Sequence, residues 1–316
     1  MVKLYLGGFP KSFERAIGDV CLEYGFSTVK SEANADLRVL VDPKNLRELD
    51  LWRDVVVLAE PEVVRPDLYR NLLFSKVSMV LPLGRYRAER LGLTNWIDFP
   101  VELPTYEQVW VPRNTKIALV NEHKFSSSFR SKYGLRRKVI HYLEREYPGT
   151  LDLFGNQWND TKTIEVRRRI AALRNFKTPL DIDLNETFSN LWHVYESHAG
   201  HMDSECKLLK EYRLSICIEN DIDYVSEKVW KSLYAGCPVI YVGPNLDYDK
   251  ELLQCVTLSA ATVSSVISAL ESMDERTEKH KSQAGIDFLK SSTLSLYSAN
   301  NRAHEFCLSL LKIAGI

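Results

Sequence analysis

Apolar residues in this chain fall in short runs, separated by stretches with helical spacing. Lys3–Leu6, Leu37–Val41, Val55–Leu58 and Val77–Leu81 read as strands, and Phe13–Tyr24 reads as a helix between two of them. Strands that alternate with helical patterns predict a mostly parallel sheet. A second series follows: a strand at Lys116–Val120, a helix over about Leu135–Tyr147 and a short strand at Asp152–Phe154 closed by Gly155. Between the two series, the proline-rich stretch from Phe99 to Asn114 marks a domain boundary. The pattern therefore predicts one α/β domain over 1–112 and a second over 113–293. Residues 294–316 are expected to form a last helix that can cross back onto the first domain.

The most informative segment runs from Tyr212 to Pro244. Leu214, Ile216 and Ile218 alternate with the small Ser215 and Cys217, so this strand should be covered on both faces. It stops at Glu219-Asn220. Ser226 is placed to N-cap a helix through Ala235, with Glu227 in its first turn. Val229, Trp230, Leu233 and Tyr234 give that helix an apolar stripe, and Gly236 stands where a C′ glycine would end it. Val239–Val242 returns as a strand into Gly243-Pro244. Strand ends and helix N-termini converge at such a loop, where ligands of α/β domains bind. A phosphate there would gain the fixed charge of Lys228 as well as the helix-end dipole.

Composition narrows the class without naming a function. The 316 residues are 45% hydrophobic and 26% charged, which is ordinary for a two-domain globular chain. No apolar run is long enough to span a bilayer, and the N-terminus reads as a strand and not as a signal peptide. The six cysteines show no Cys-X-X-Cys spacing and are expected to be reduced structural thiols. The net charge of −1 conceals thirteen Lys/Arg against five Asp/Glu between Lys124 and Lys177. A solvated helix face accounts for that excess, and with a pI near 6.7 and no nucleic-acid motif, nucleic-acid binding is not expected. No Gly-X-Gly-X-X-Gly or Walker sequence supports a dehydrogenase or P-loop reading. Asp181-Ile182-Asp183 has metal-motif spacing but lies well before the strand Leu214–Ile218, and the His198, His201 and Asp203 group reads as a loop without a full ligand set. Trp158 and Trp192 could stack on sugar rings, though burial is the commoner fate of tryptophan.

Glu219-Asn220, Tyr224, Ser226-Glu227-Lys228, Gly236-Cys237-Pro238-Val239 and Gly243-Pro244 together resemble the donor-binding signature of the family 10 α-1,3-fucosyltransferases. That signature is Phe-Glu-Asn, a spacer, Tyr-(Val/Ile)-(Thr/Ser)-Glu-Lys-hydrophobic-Trp, then Ala-Gly-X-Pro-Val and Gly-Pro. Ile218 stands where the family usually has Phe, and Asp221 where Ser often follows Asn. The resemblance implies the GT-B architecture, two Rossmann-like domains facing a cleft. Family members in the animal Golgi carry an N-terminal membrane anchor that is not seen in this sequence, so a soluble enzyme of bacterial or viral type, or a trimmed form of a longer chain, is expected. It implies an inverting transfer of L-fucose from GDP-fucose to a hydroxyl of an oligosaccharide or glycoconjugate.

Residue roles follow from the same resemblance. Glu227 would bind the ribose hydroxyls, with Glu219, Asn220, Tyr224 and Ser226 shaping the donor pocket. Lys228 and Arg136 would neutralise the departing diphosphate, Arg136 because it stands seven residues before Leu143 as in the family; Arg130 and Arg137 are its rivals. The base would come from Glu60 or Glu62, which follow the apolar run Val55–Leu58. No cofactor is required and a divalent cation is at most stimulatory. The expected location is the cytoplasm, at a membrane surface if the acceptor is lipid-linked. Two alternatives stay open: a GT-B enzyme using another GDP-sugar, and a relative that binds sugar nucleotide or glycan without turnover.

Overall fold

The computed structural model describes residues 1–45, 48–50, 52–70, 79–101, 113–124, 126, 128, 130–158, 193–201, 205–223, 225–246 and 249–315. The chain divides into two compact units, Met1–Glu102 with Ser291–Ile316, and Leu103–Lys290. Tyr224, Asp181–Asp183, Trp192 and Asp203 lie outside the described residues.

The first unit is built on a five-stranded parallel sheet in the order β2-β1-β3-β4-β5. Its strands are β1 (Val2–Gly7), β2 (Phe26–Thr28), β3 (Leu37–Val41), β4 (Asp54–Leu58) and β5 (Met79–Pro82). Helix α1 (Lys11–Val20) lies between β1 and β2 in the chain, α2 (Pro66–Tyr69) between β4 and β5, and α3 (Arg85–Arg90) follows β5. Every residue of β4 is buried, as its unbroken apolar run predicts for a central parallel strand. Asp54 is the exception in character, and its buried carboxylate is paired with Arg38.

The second unit carries a six-stranded sheet in the order β11-β10-β9-β6-β7-β8, again parallel throughout. The strands are β6 (Ile117–Val120), β7 (Leu151–Phe154), β8 (His198–Gly200), β9 (Leu214–Ile218), β10 (Val239–Val242) and β11 (Val256–Leu258). Its helices are α4 (Tyr133–Glu146), α5 (Glu205–Leu209), α6 (Glu227–Tyr234), α7 (Lys250–Cys255), α8 (Val263–Glu271) and α9 (Glu275–Lys290). From β6 the chain builds outward first through β7 and β8, then on the opposite side through β9, β10 and β11. The strand order thus reverses between β6 and β9, and in open α/β sheets the carboxyl ends at that point form a ligand-binding crevice.

The last helix, α10 (Ala299–Ala314), returns to the first unit. Phe306 and Leu310 pack with Phe13, Ile17 and Leu4 in one apolar core, and Phe306 meets Phe9 edge-on at 5.6 Å between centroids. Three short strands, β2, β8 and β11, are absent from the hydrophobic pattern. For β8 the sequence reads as a loop, because His198-Ala199-Gly200 has no apolar alternation. It becomes a strand by pairing with β7, in a register that shifts between Leu153 and Phe154. Among the described residues no helix is long and apolar enough to cross a membrane.

Gly155, just after β7, sits at φ +131°, and a Cβ there would stand 2.1 Å from the carbonyl oxygen of Asn121 at the end of β6. The glycine therefore lets the ends of two adjacent strands close together. Gly155→Ala is expected to destabilise the protein by about 2 kcal/mol or more in denaturant unfolding. An unchanged midpoint would show that the close approach is not required.

Candidate active site

β9 runs into the sheet core without a charged residue, so the first polar groups after it emerge at the strand's carboxyl end. Glu219 is fully buried there. Its Oε1 accepts the Ser226 backbone N–H at 2.8 Å, which closes the loop between strand and helix. Its Oε2 has no hydrogen-bond partner among the described residues. Burial pushes the Glu219 carboxyl above its ordinary range, while Lys228 and the bond from Ser226 pull it back. A buried carboxylate oxygen without a donor is costly, and ligand hydroxyls are suitable partners for it.

Ser226 is the N-cap that the sequence predicts. Its backbone is extended, and its Oγ accepts the Lys228 backbone N–H at 3.4 Å. The Lys228 ammonium donates to the same Oγ at 3.2 Å and lies 3.9 Å from the Glu227 carboxylate. Glu227 is exposed in the first turn of α6. Gly236 ends the helix at φ +61°, with its N–H donating to Leu233. The strand end thus brings together a buried carboxylate, an exposed carboxylate, a lysine and a helix N-terminus. That set can accept hydrogen bonds from hydroxyls and neutralise an anion within one loop.

Arg136 is drawn into the same place by a different route. It is only 2% exposed, on the face of α4 turned to the sheet. One guanidinium nitrogen donates to the Ile218 carbonyl at 2.7 Å and to Asn220 Oδ1 at 3.1 Å, and the group lies over the Tyr133 ring. Burial lowers its pKa to about 10, which leaves it charged at neutral pH. These contacts hold the loop after β9 from beneath. The rival Arg130 is paired with Asp221 at 2.8 Å and Asp223 at 3.0 Å, tying the segment before α4 to the loop after β9. Arg137 is buried as well.

Three further groups at these strand ends escape the sequence pattern. Asn121, directly after β6, is 3% exposed, and neither amide atom of its side chain has a hydrogen-bond partner among the described residues. Its position at the end of an apolar run is the one signal that could have marked it. His123 is stacked on Trp158 at 4.6 Å between ring centroids, with Tyr195 edge-on, and its Nδ1 is 3.2 Å from the Gln157 carbonyl. Trp158 is therefore a core residue whose indole donates to the Asn121 carbonyl. Burial, followed by the charge of Arg137, lowers the His123 pKa to about 4, so the ring is neutral at pH 7. The third is the pairing of Arg130 with Asp221 and Asp223, where the sequence offers the arginine only as a rival to Arg136.

Glu60 and Glu62 belong to the first unit. Glu60 is exposed just past β4, whereas the Glu62 carboxylate is paired with Arg90 at 3.0 Å. Of the two, Glu60 is the nearer to the end of β4, two residues past Leu58. Among the described residues no group of three or more His, Cys, Asp and Glu side chains could hold a metal ion.

No protein-family model matches the chain, and no curated protein matches it in sequence. Solved structures do. A sucrose-phosphate synthase from Thermosynechococcus elongatus superposes with a TM-score of 0.60 at 10% identity, over 99% of both chains. WaaG, a glycosyltransferase involved in lipopolysaccharide biosynthesis, superposes at 0.53 and 11% identity, over 96% of this chain and 98% of its own. A trehalose-6-phosphate synthase studied for glycosyl transfer with retention superposes at 0.51 and 11% identity, over 96% of this chain and 78% of its own. At such identities the likeness is one of fold, and the fold is GT-B.

Two predictions follow from the buried groups. Arg136→Ala should lower stability by about 3 kcal/mol, because it strips charge-assisted bonds from a buried strand end; loss of ligand binding with an unchanged unfolding midpoint would contradict the supporting role. The second concerns pH. His123 is kept neutral when folded and protonates near its ordinary pKa when unfolded, so the unfolded chain takes up more protons between about pH 6.5 and 4. Stability should be level above pH 6.5 and fall by up to about 3 kcal/mol as pH drops to 4, and His123→Phe should flatten that part of the profile. A profile that is unaltered in the variant would remove His123 from the account.

Proposed function

We propose that the chain is a glycosyltransferase that moves L-fucose from GDP-fucose to a hydroxyl of a glycan acceptor, with inversion at the anomeric carbon. The observation that carries this reading is the loop 219–228, where a buried carboxylate with an open oxygen, an exposed carboxylate and Lys228 meet the N-terminus of α6 at the strand-order reversal. The GT-B likeness supports transfer from a nucleotide sugar as the reaction class. The resemblance of the same loop to the family 10 signature supports fucose and GDP.

In this reading Glu227 binds the ribose hydroxyls, and Glu219 and Asn220 line the donor pocket together with Tyr224. Lys228 stabilises the negative charge that builds on the departing GDP, an effect commonly worth a few kcal/mol for one well-placed donor. Arg136 contributes its positive field from beneath the loop. Glu60 takes the acceptor's proton as its oxygen attacks C1. The C1–phosphate bond breaks, GDP leaves with the bonding pair, and the β-linked donor becomes an α-L-fucoside. Metal is not needed in this scheme, since fixed cations supply the charge.

A second reading, transfer with retention, is favoured by the likeness to the trehalose-6-phosphate synthase, whose study concerns retention. One experiment separates the readings. The purified protein is given a panel of GDP-, UDP- and ADP-sugars with a mixture of glycan acceptors, and the anomeric configuration of any product is read by NMR. GDP-fucose turnover giving an α-fucoside is the expected result. A β-fucoside would replace inversion by retention, and turnover of another donor alone would overturn the fucosyl assignment.

A further inference from the structure

The carboxyl end of β4 is held far more tightly than a surface turn requires. Asp42, immediately after β3, has φ +42°, a conformation most side chains avoid. From there its carboxylate accepts two successive backbone N–H groups of the neighbouring strand's end, Ala59 at 3.0 Å and Glu60 at 2.9 Å. The Glu60 carbonyl is taken on the other side by the Tyr69 hydroxyl at 2.8 Å. Arg87, with no exposed surface, reaches the same turn from α3. A single guanidinium nitrogen donates to the carbonyls of Leu58 at 2.8 Å, Ala59 at 3.0 Å and Glu60 at 3.2 Å. Arg65 in turn holds the carbonyls of Asp42 and Pro43, both at 3.1 Å.

Both backbone polar groups of Glu60 are therefore fixed by side chains, one anionic and one cationic, that come from two other elements of the unit. A strained residue kept in place by such a network is a common sign of function. The sheet does not supply these bonds: the pairing of β4 ends at Val57 toward β3 and at Leu58 toward β5, so the backbone of Ala59 and Glu60 is held by side chains. What the network does fix is the direction in which the exposed Glu60 side chain leaves the backbone.

We propose that Asp42 and Arg87 are positioning residues for Glu60, a clamp that holds its carboxylate in line to take the acceptor proton. This rests on the glycosyltransferase reading, in which Glu60 is the base. Proton transfer depends steeply on placement, and a displacement of about 1 Å can cost on the order of 100-fold in rate.

Asp42→Asn is the informative substitution. Asn tolerates the left-handed backbone and has the same size, but its amide turns an N–H toward one of the two backbone donors. Kinetics with the donor found in the nucleotide-sugar panel should show kcat lowered about 10- to 100-fold and the donor KM unchanged within about two-fold. In a Glu60→Gln background the same substitution should change kcat by less than about two-fold, because the group it positions is gone. Hydrogen exchange should report the Glu60 amide about ten-fold less protected in Asp42→Asn. Arg87→Lys, which keeps the charge but not the reach to three carbonyls, should lower kcat in the same Glu60-dependent way. An active enzyme whose Asp42→Asn variant keeps full kcat, or loses the same factor with and without Glu60, overturns the clamp and leaves the functional reading standing. A wild type that transfers no sugar from any donor overturns the functional reading and the clamp with it.

Discussion

A buried guanidinium has to keep its partners, and the strand-end loop of the second unit is arranged around that constraint. Arg136 is removed from water on the sheet-facing side of α4, where an unpaired cation would be prohibitively unfavourable. One of its nitrogens donates to the last carbonyl of β9 and to the side chain of Asn220. Those two bonds fix the point at which the chain leaves the sheet. From there Glu219 turns inward to take the Ser226 N–H, and Ser226 starts α6 with Lys228 over its first turn. Arg130, bound by Asp221 and Asp223, braces the rest of the loop.

The first unit solves a similar problem in a similar way. There Arg87 lies fully buried and collects three carbonyls at the end of β4, while Asp42 supplies the acceptor for the N–H groups. In both units a buried arginine from a helix secures the carboxyl end of a central parallel strand. The reactive side chains proposed here, Lys228 and Glu227 in one unit and Glu60 in the other, then project from backbone that cannot easily shift. Preorganisation of this kind is what charge stabilisation and proton transfer both require.

Much of this was legible in the sequence because it rests on local rules. The uncharged run Leu214–Ile218, the Ser226 cap and Gly236 each announce themselves through propensity and spacing, and the structure forms β9, α6 and its left-handed end at those residues. The three-residue strands β2, β8 and β11 were not legible, since pairing to a neighbour creates them and no pattern of their own does. Nor could spacing show that Arg136 turns under the loop, or that Glu62 is taken by Arg90. Asp42 was the least visible of all. It lies eighteen residues before Glu60, and only the parallel pairing of β3 with β4 brings the two together.

The central claim, that the loop 219–228 binds the diphosphate of a nucleotide sugar, is tested most directly by calorimetric titration of GDP into the wild type and Lys228→Ala. The account predicts binding to the wild type and at least about ten-fold weaker binding to the variant, since a charge-assisted bond and a fixed cation are removed together. Equal affinity in the two proteins, or no binding of GDP to the wild type, would contradict it.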